Sequence, residues 1–262
     1  MPTWAFSRRP AIGAILAALV LSASSATHAY DLPGIQGADD RRPVISTGPG
    51  SGKAYPWPWQ AIGRVNRNTG GFCTGTLIAP DLVLTAAHCL ENTRVGRLPP
   101  ESLHFLAGYR FGDYDAHGRV AEILRPDQDG PRGDFALVRL TAPIAGIPPL
   151  RLSTAIGTGR SAGVHARVWL AGYSQDRPHL LAVDKSCIML GVRDDALWRH
   201  DCDGPKGSSG GPILVSGEDP DAPRVAGISI GFADRLDMPQ GVMVPAPVIR
   251  AFLEARGLAP PN

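Results

Sequence analysis

The segment Lys206-Gly207-Ser208-Ser209-Gly210-Gly211-Pro212 sets a serine in a turn with a glycine two residues before it and two glycines directly after. Glycine admits backbone angles that other residues avoid, so this turn can push the Ser209 hydroxyl outward. It can also aim the Gly207 and Ser209 amides at one point, ready to bind a developing oxyanion. A serine hydroxyl is a weak nucleophile near neutral pH and needs a neighbour to take its proton. Histidine suits that task because its pKa lies near neutrality. Of the seven histidines, His88 is the candidate, placed in Thr85-Ala86-Ala87-His88-Cys89 behind two small residues and before a cysteine. Asp134 opens the apolar run Phe135-Ala136-Leu137-Val138, at the mouth of a buried strand. A carboxylate there is costly unless paired, and a histidine N–H would pair it, fix the tautomer and stabilise the imidazolium. Taken singly, each residue has an ordinary structural reading. Together they supply nucleophile, base and orienting acid, the parts of nucleophilic catalysis.

These groups must be positioned by short extended elements. Gly 31 and Pro 25 among 262 residues favour many turns over long helices. From Trp59 onward the pattern predicts strands at Ala61 to Val65, Gly75 to Ile78, Leu82 to Thr85, Leu103 to Gly108, Val120 to Leu124 and Phe135 to Leu140. The proline-studded stretch Ala142 to Leu150 reads as a connection between two halves. The second half offers strands at Ala166 to Ala171, Ser186 to Val192, Ile213 to Val215 and Val225 to Ile230. One helix is signalled, with Pro247 at its first position, Val248, Ile249, Phe252 and Leu253 on one face, and Gly257 as a stop. A lone terminal helix after many strands indicates an all-β domain.

The chain starts with Arg8 and Arg9, then an apolar run from Ala11 to Ala23 and small residues at Ala26 and Ala29. This is the pattern of a removable export signal over residues 1–29, and the run is too short to span a bilayer comfortably. Residues 30–54 are rich in glycine, proline and charge and read as a pro-segment or N-terminal arm. The mature protein is expected outside the cytoplasm, secreted or periplasmic, with no stable membrane association. Lys+Arg 26 against Asp+Glu 24 gives no reason to expect a nucleic-acid partner. Four cysteines fit an oxidising compartment and allow three connectivities. Pairing Cys73 with Cys89 and Cys187 with Cys202 is favoured because each pair closes one short loop beside a catalytic segment. No Cys-x-x-Cys spacing supports zinc, so neither metal nor cofactor is expected.

The three segments, in the order His88, Asp134, Ser209, resemble trypsin-like serine proteases, and Pro58-Trp59-Gln60 and Phe72-Cys73-Thr74-Gly75-Thr76-Leu77-Ile78 match further family segments. The resemblance runs from about Tyr55 to the terminal helix. It implies an all-β fold of two packed six-stranded antiparallel β-barrels with a C-terminal helix: barrel one at about 55–145, barrel two at about 150–246, the helix at about 247–257. It implies a serine endopeptidase with His88, Asp134 and Ser209 as its triad and Gly207 and Ser209 as the oxyanion hole. Expected partners are protein or peptide substrates and a proteinaceous inhibitor.

Two departures from the family pattern matter. The family's usual aspartate before the nucleophile, which pairs with a new N-terminal ammonium after zymogen cleavage, is Ser208 here. A neutral hydroxyl cannot form that ion pair, and the resemblance then points to the bacterial branch that includes the glutamyl endopeptidases. The arm is accordingly expected to pack on the outside and to be trimmed without switching activity on. For substrate choice, Asp203 stands six residues before Ser209, where the resemblance to trypsin implies a pocket-floor aspartate that favours Arg or Lys before the cut bond. The Cys202-Asp203 pair followed by Pro205 also resembles a structural feature of the bacterial branch. Ser229, Gly231 and Gly241 are the other expected substrate-binding residues, the two glycines leaving the pocket entrance open. Glutamate preference is weakened because Gly227-Ile228-Ser229-Ile230-Gly231 holds no histidine. The competing function is a catalytically silent binding protein on the same scaffold. An α/β-hydrolase is set aside because its chain order runs serine, acid, histidine.

Overall fold

The computed structural model describes Met1 and residues 32–45, 54–128, 130–154, 164–192, 197–216, 222–233 and 240–258. The expected export signal, Met1 apart, lies outside the described residues. By its contacts the chain divides into Met1–Asp31 and Leu32–Asn262, and the architecture belongs to the second unit.

In chain order the strands are β1 (Arg42–Pro43), β2 (Ile62–Arg67), β3 (Phe72–Ala79), β4 (Leu82–Thr85), the small pair β5 (Glu91–Asn92) and β6 (Gly96–Arg97), β7 (Leu103–Ala107), β8 (Ala116–Leu124) and β9 (Ala136–Leu140). The second half adds β10 (Arg167–Ser174), β11 (Arg177–Val192), β12 (Trp198–His200), β13 (Pro212–Val215), β14 (Arg224–Ala233), β15 (Gln240–Pro245) and the helix α1 (Ala246–Ala255). Strands β2-β3-β4-β9-β8-β7 close into one antiparallel barrel, β2 meeting β7 in the register Val65↔Phe105. Strands β11-β10-β13-β14-β15-β12 form the second barrel, closed where β12 returns to β11, and β1 is added to the outer edge of β11. The fold is all-β, two six-stranded barrels and a C-terminal helix.

The alternation that predicts strands is visible in burial. Leu103, Phe105 and Ala107 of β7 point into the first barrel while His104 and Leu106 are only partly covered, the period of two expected of a half-exposed strand. β3 breaks the alternation, being buried from Phe72 to Ile78, because it also faces the second barrel: Thr74 Oγ1 donates to Gly207 O at 3.0 Å and Thr74 N to Ser209 O at 2.9 Å.

α1 starts one residue before the expected Pro247 and buries Ala246, Ile249 and Leu253. Phe252 meets Phe135 edge-on with ring centroids 5.3 Å apart, so the helix after barrel two packs on barrel one beside Asp134. Gly257 (φ +66) ends it, its N–H donating to Glu254 O while Leu258 N–H donates to Leu253 O, a left-handed glycine stop.

Five strands have no counterpart among the expected elements, the two-residue β1, β5 and β6 and the barrel strands β12 and β15, and β11 runs over 16 residues where seven were expected. Leu32 to Val44 packs against the second barrel, with β1 on the outer edge of β11. Arg41 is buried and Val44 N–H donates to Leu181 O at 2.8 Å.

Candidate active site

His88 lies in a single helical turn, Ala87–Leu90, directly after β4, and Asp134 lies at the end of another, Pro131–Gly133, directly before β9. Because β4 and β9 are neighbours, the two turns emerge side by side from one end of the barrel. Asp134 then accepts twice from His88: the backbone N–H reaches Oδ1 at 2.9 Å and ring Nδ1 lies 2.8 Å from Oδ2. The first bond fixes the turn and the second fixes the ring. With Nδ1 donating to a carboxylate, Nε2 is left as the basic nitrogen. The Cys73–Cys89 disulfide ties β3 to the residue after His88.

Ser209 comes from the second barrel, in the turn before β13. Gly210 explains why the sequence is so glycine-dense here. Its φ is +80°, and a Cβ on it would fall on Thr74 O and Thr85 Oγ1 and lie 2.8 Å from Ala86 N. Only glycine lets the two barrels approach this closely. Gly207 (φ +104°) is similarly confined, with Tyr173 O 2.9 Å and Phe72 Cε2 3.0 Å from where a Cβ would stand. The turn is pinned by Gly210 N–H to Ser229 O (2.7 Å), Gly211 N–H to Ser208 O (2.8 Å) and the two bonds from Thr74. Among the described residues no protein acceptor takes the Gly207 or Ser209 N–H, the arrangement an oxyanion site requires. No hydrogen bond joins Ser209 Oγ to His88 Nε2 among the described residues; in ligand-free enzymes that bond is often long and tightens with substrate.

A cleft of about 540 Å³ opens between the barrels, lined by His88 and Asp134 on one side and by Leu197, Ile230, Phe232 and Val242 on the other. Gly231 also lines it, and a Cβ on Gly231 would meet nothing within 4 Å, so that position is open. Ser229 is buried, its N–H donating to Gly211 O.

Gly241 is different. The side where its Cβ would stand is occupied by the His200 ring, with Nδ1 at 2.5 Å and Nε2 at 2.6 Å. The missing side chain makes room for a buried histidine, not for an open entrance. Cys202 N–H donates to His200 Nδ1 at 3.2 Å, which puts the ring proton on Nε2, and Nε2 has no partner among the described residues. Full burial, opposed by the charge of Asp184, pushes the His200 pKa down to about 4.

Asp203 is bonded to the N-terminal arm. Its Oδ1 accepts the Gln36 N–H at 2.8 Å and its Oδ2 the Asp40 N–H at 2.9 Å, so both oxygens are engaged by the N-terminal arm. Burial raises its pKa, against those two amides and with the help of the Asp184 and Asp39 charges. Beside it, a side chain on Gly204 would meet Leu170 Cδ2 at 2.8 Å and Phe232 Cε2 at 3.5 Å, an apolar wall.

Both short-loop disulfides form, Cys73–Cys89 and Cys187–Cys202. Their sulfurs belong to the two clusters with metal-like composition, Cys73, His88, Cys89 and Asp184, Cys187, Cys202, so neither cluster presents a thiolate. Residues that sequence reasoning missed are Thr74, which joins the barrels, Arg41 of the arm, and His200. Each acts on a partner far away in the chain, and no local pattern marks it.

A family model described as Trypsin matches residues 48–251. Among solved structures, a Glu endopeptidase in complex with MPD is similar at 20% identity with a TM-score of 0.66, covering 85% of this chain and 98% of that one.

Proposed function

The chain belongs to the trypsin family and is a serine protease, and on that premise we propose that it is an extracytoplasmic endopeptidase whose triad is His88, Asp134 and Ser209. The observation that carries this is the double acceptance by Asp134 of the His88 backbone and ring. In the reaction, Ser209 Oγ attacks the scissile carbonyl while His88 Nε2 takes its proton. Asp134 stabilises the imidazolium, and the Gly207 and Ser209 amides bind the oxyanion. His88 then gives the proton to the leaving amine, which departs and leaves an acyl-enzyme. Water, deprotonated by His88, releases the acid and restores Ser209. Ser229 and Gly231 would line the strand along which substrate extends. Action outside the cytoplasm is supported by two disulfides.

For the residue before the cut bond, spacing favours Arg or Lys through Asp203. The engagement of both its oxygens by arm amides and the apolar neighbours Leu170 and Phe232 favour an uncharged, apolar residue instead. The likeness to a Glu endopeptidase speaks for the fold and carries no residue preference.

Cleavage-site mapping by mass spectrometry on a peptide mixture, with Ser209→Ala in parallel, tests both levels. Serine-dependent cuts after apolar residues are expected. Cuts after Arg or Lys that vanish in Asp203→Asn would restore Asp203 as the pocket floor. No serine-dependent cuts, together with no labelling of Ser209 by a fluorophosphonate, would leave a binding scaffold.

A further inference from the structure

The arm is bonded into the segment that leads to the nucleophile. Gly204 N–H donates to Gly34 O at 2.8 Å, next to the two bonds that Asp203 accepts from Gln36 and Asp40. Gly34 (φ +95°) lies so close that a Cβ on it would stand 2.9 Å from Gly204 O and from Pro205 Cα. The arm's second anchor is Arg41, whose side chain is 3% exposed. Its guanidinium holds Asp176 with two bonds (3.1 and 2.8 Å), Asp39 through Nε and Nη2 (3.0 and 2.9 Å), and Ser174 Oγ (2.8 Å). Gln175, between Ser174 and Asp176, donates its N–H to Lys206 O at 2.8 Å.

The arm therefore reaches residues 203–206 by two routes, directly at Asp203 to Pro205 and through the 174–176 turn at Lys206. Immediately beyond stand Gly207, Ser208 and Ser209, which Thr74 fixes from the other side. Ser208 is buried and uncharged, so no ion pair at that position holds the turn.

We propose that the arm, Leu32 to Val44, is the positioning element of the oxyanion hole, with Gly34, Gln36, Asp40 and Arg41 as its contact residues. Its release would switch the protease off. The inference rests on reading the Gly207 and Ser209 amides as the oxyanion donors. A paired, buried guanidinium is hard to release, because breaking it away leaves a charge without a partner. The arm is thus a permanent strap, and processing must stop before Leu32. Preorganised donors lose much of their effect when displaced, and loss of one costs about 10²–10³ in kcat; partial loosening of the turn should cost about ten- to a hundredfold.

The test uses the full chain with Arg41→Met and, separately, Gly34→Ala, which crowds Gly204 and Pro205 while leaving every Arg41 bond in place. Steady-state kinetics on a peptide substrate should show kcat down about ten- to a hundredfold and KM within about twofold, with Arg41→Lys in between. The same two changes in a Ser209→Ala background, followed by hydrogen exchange, should speed exchange at residues 203–209 and leave β2 and β7 unchanged. Exchange does not depend on catalysis, so it judges the arm even if the parent protein shows no Ser209-dependent turnover, an outcome that would sink the triad instead. Folded variants with unchanged kcat and unchanged exchange at 203–209 would overturn the proposal. If Arg41→Met does not fold, Gly34→Ala decides alone.

Discussion

At Asp134 one carboxylate serves two donors, and that sets what its replacement would do. Asparagine fills the same volume, but its amide turns an N–H toward a ring nitrogen that itself must donate. His88 would be driven to the other tautomer, with its proton on Nε2, where the base must be free. Asp134→Asn should lower kcat by about 10⁴ with little change in KM, measured against active-site-titrated enzyme. A second residue-scale prediction separates two roles for Gly241. A methyl group there would press on the His200 ring, and overpacking of this kind costs about 1–3 kcal/mol. Gly241→Ala should therefore lower the denaturation midpoint while leaving KM near the parent value. A raised KM at full stability would return Gly241 to the substrate pocket.

At the scale of elements, the turn carrying His88 is held by β4, by Asp134 and by the Cys73–Cys89 disulfide, which joins residues 16 apart. Opening a loop of this size by Cys73→Ala with Cys89→Ala should cost about 3 kcal/mol in denaturant unfolding. α1 makes a comparable contribution through fully buried Leu253, and Leu253→Ala should cost about 2–5 kcal/mol. The segments of the proposed triad stand out in the sequence because each is local: glycines around Ser209, small residues before His88, an apolar run after Asp134. β12 was not, because Trp198-Arg199-His200 is three residues long and two are basic. β11 looked shorter than it is because Asp184 reads as a turn residue. In the fold Asp184 is buried, accepting from Ser186 N–H and Oγ and from Asp203 N–H. A carboxylate satisfied inside a strand leaves the same mark in sequence as one in a loop. For Asp203 the sequence left a pocket role and a structural role open, and its partners Gln36 and Asp40 could not be read locally because they lie more than 160 residues away.

At the scale of the whole molecule, stability should fall in mild acid, and the sign follows from His200. Its pKa in the fold is about 4, against 6.5 for an ordinary histidine. Between those values the unfolded chain binds a proton that the folded protein does not, so stability is complete above about pH 6.5 and declines as the pH falls toward 4. The loss should reach about 2 kcal/mol at pH 5 and about 3 kcal/mol at pH 4. The carboxylates enter lower. Burial acts to raise Asp39 and Asp176, but the bonds and charge of Arg41 outweigh it and hold both below the usual value of 3.8. Their contribution is intact above that value and is lost only as the pH falls further, whereas Asp203, raised in the fold, gains stability on acidification. Melting at pH 7.5 and pH 5 therefore reports on the lowered histidines, His200 and, lowered by burial with the His104 and Arg119 charges, His117. The parent should lose about 4–8 °C across this interval, and His200→Gln should lose much less of it. Equal losses in the two proteins would mean that His200 is not the group that titrates, and would leave His117, lowered by burial and by the His104 and Arg119 charges, as the source of the acid sensitivity.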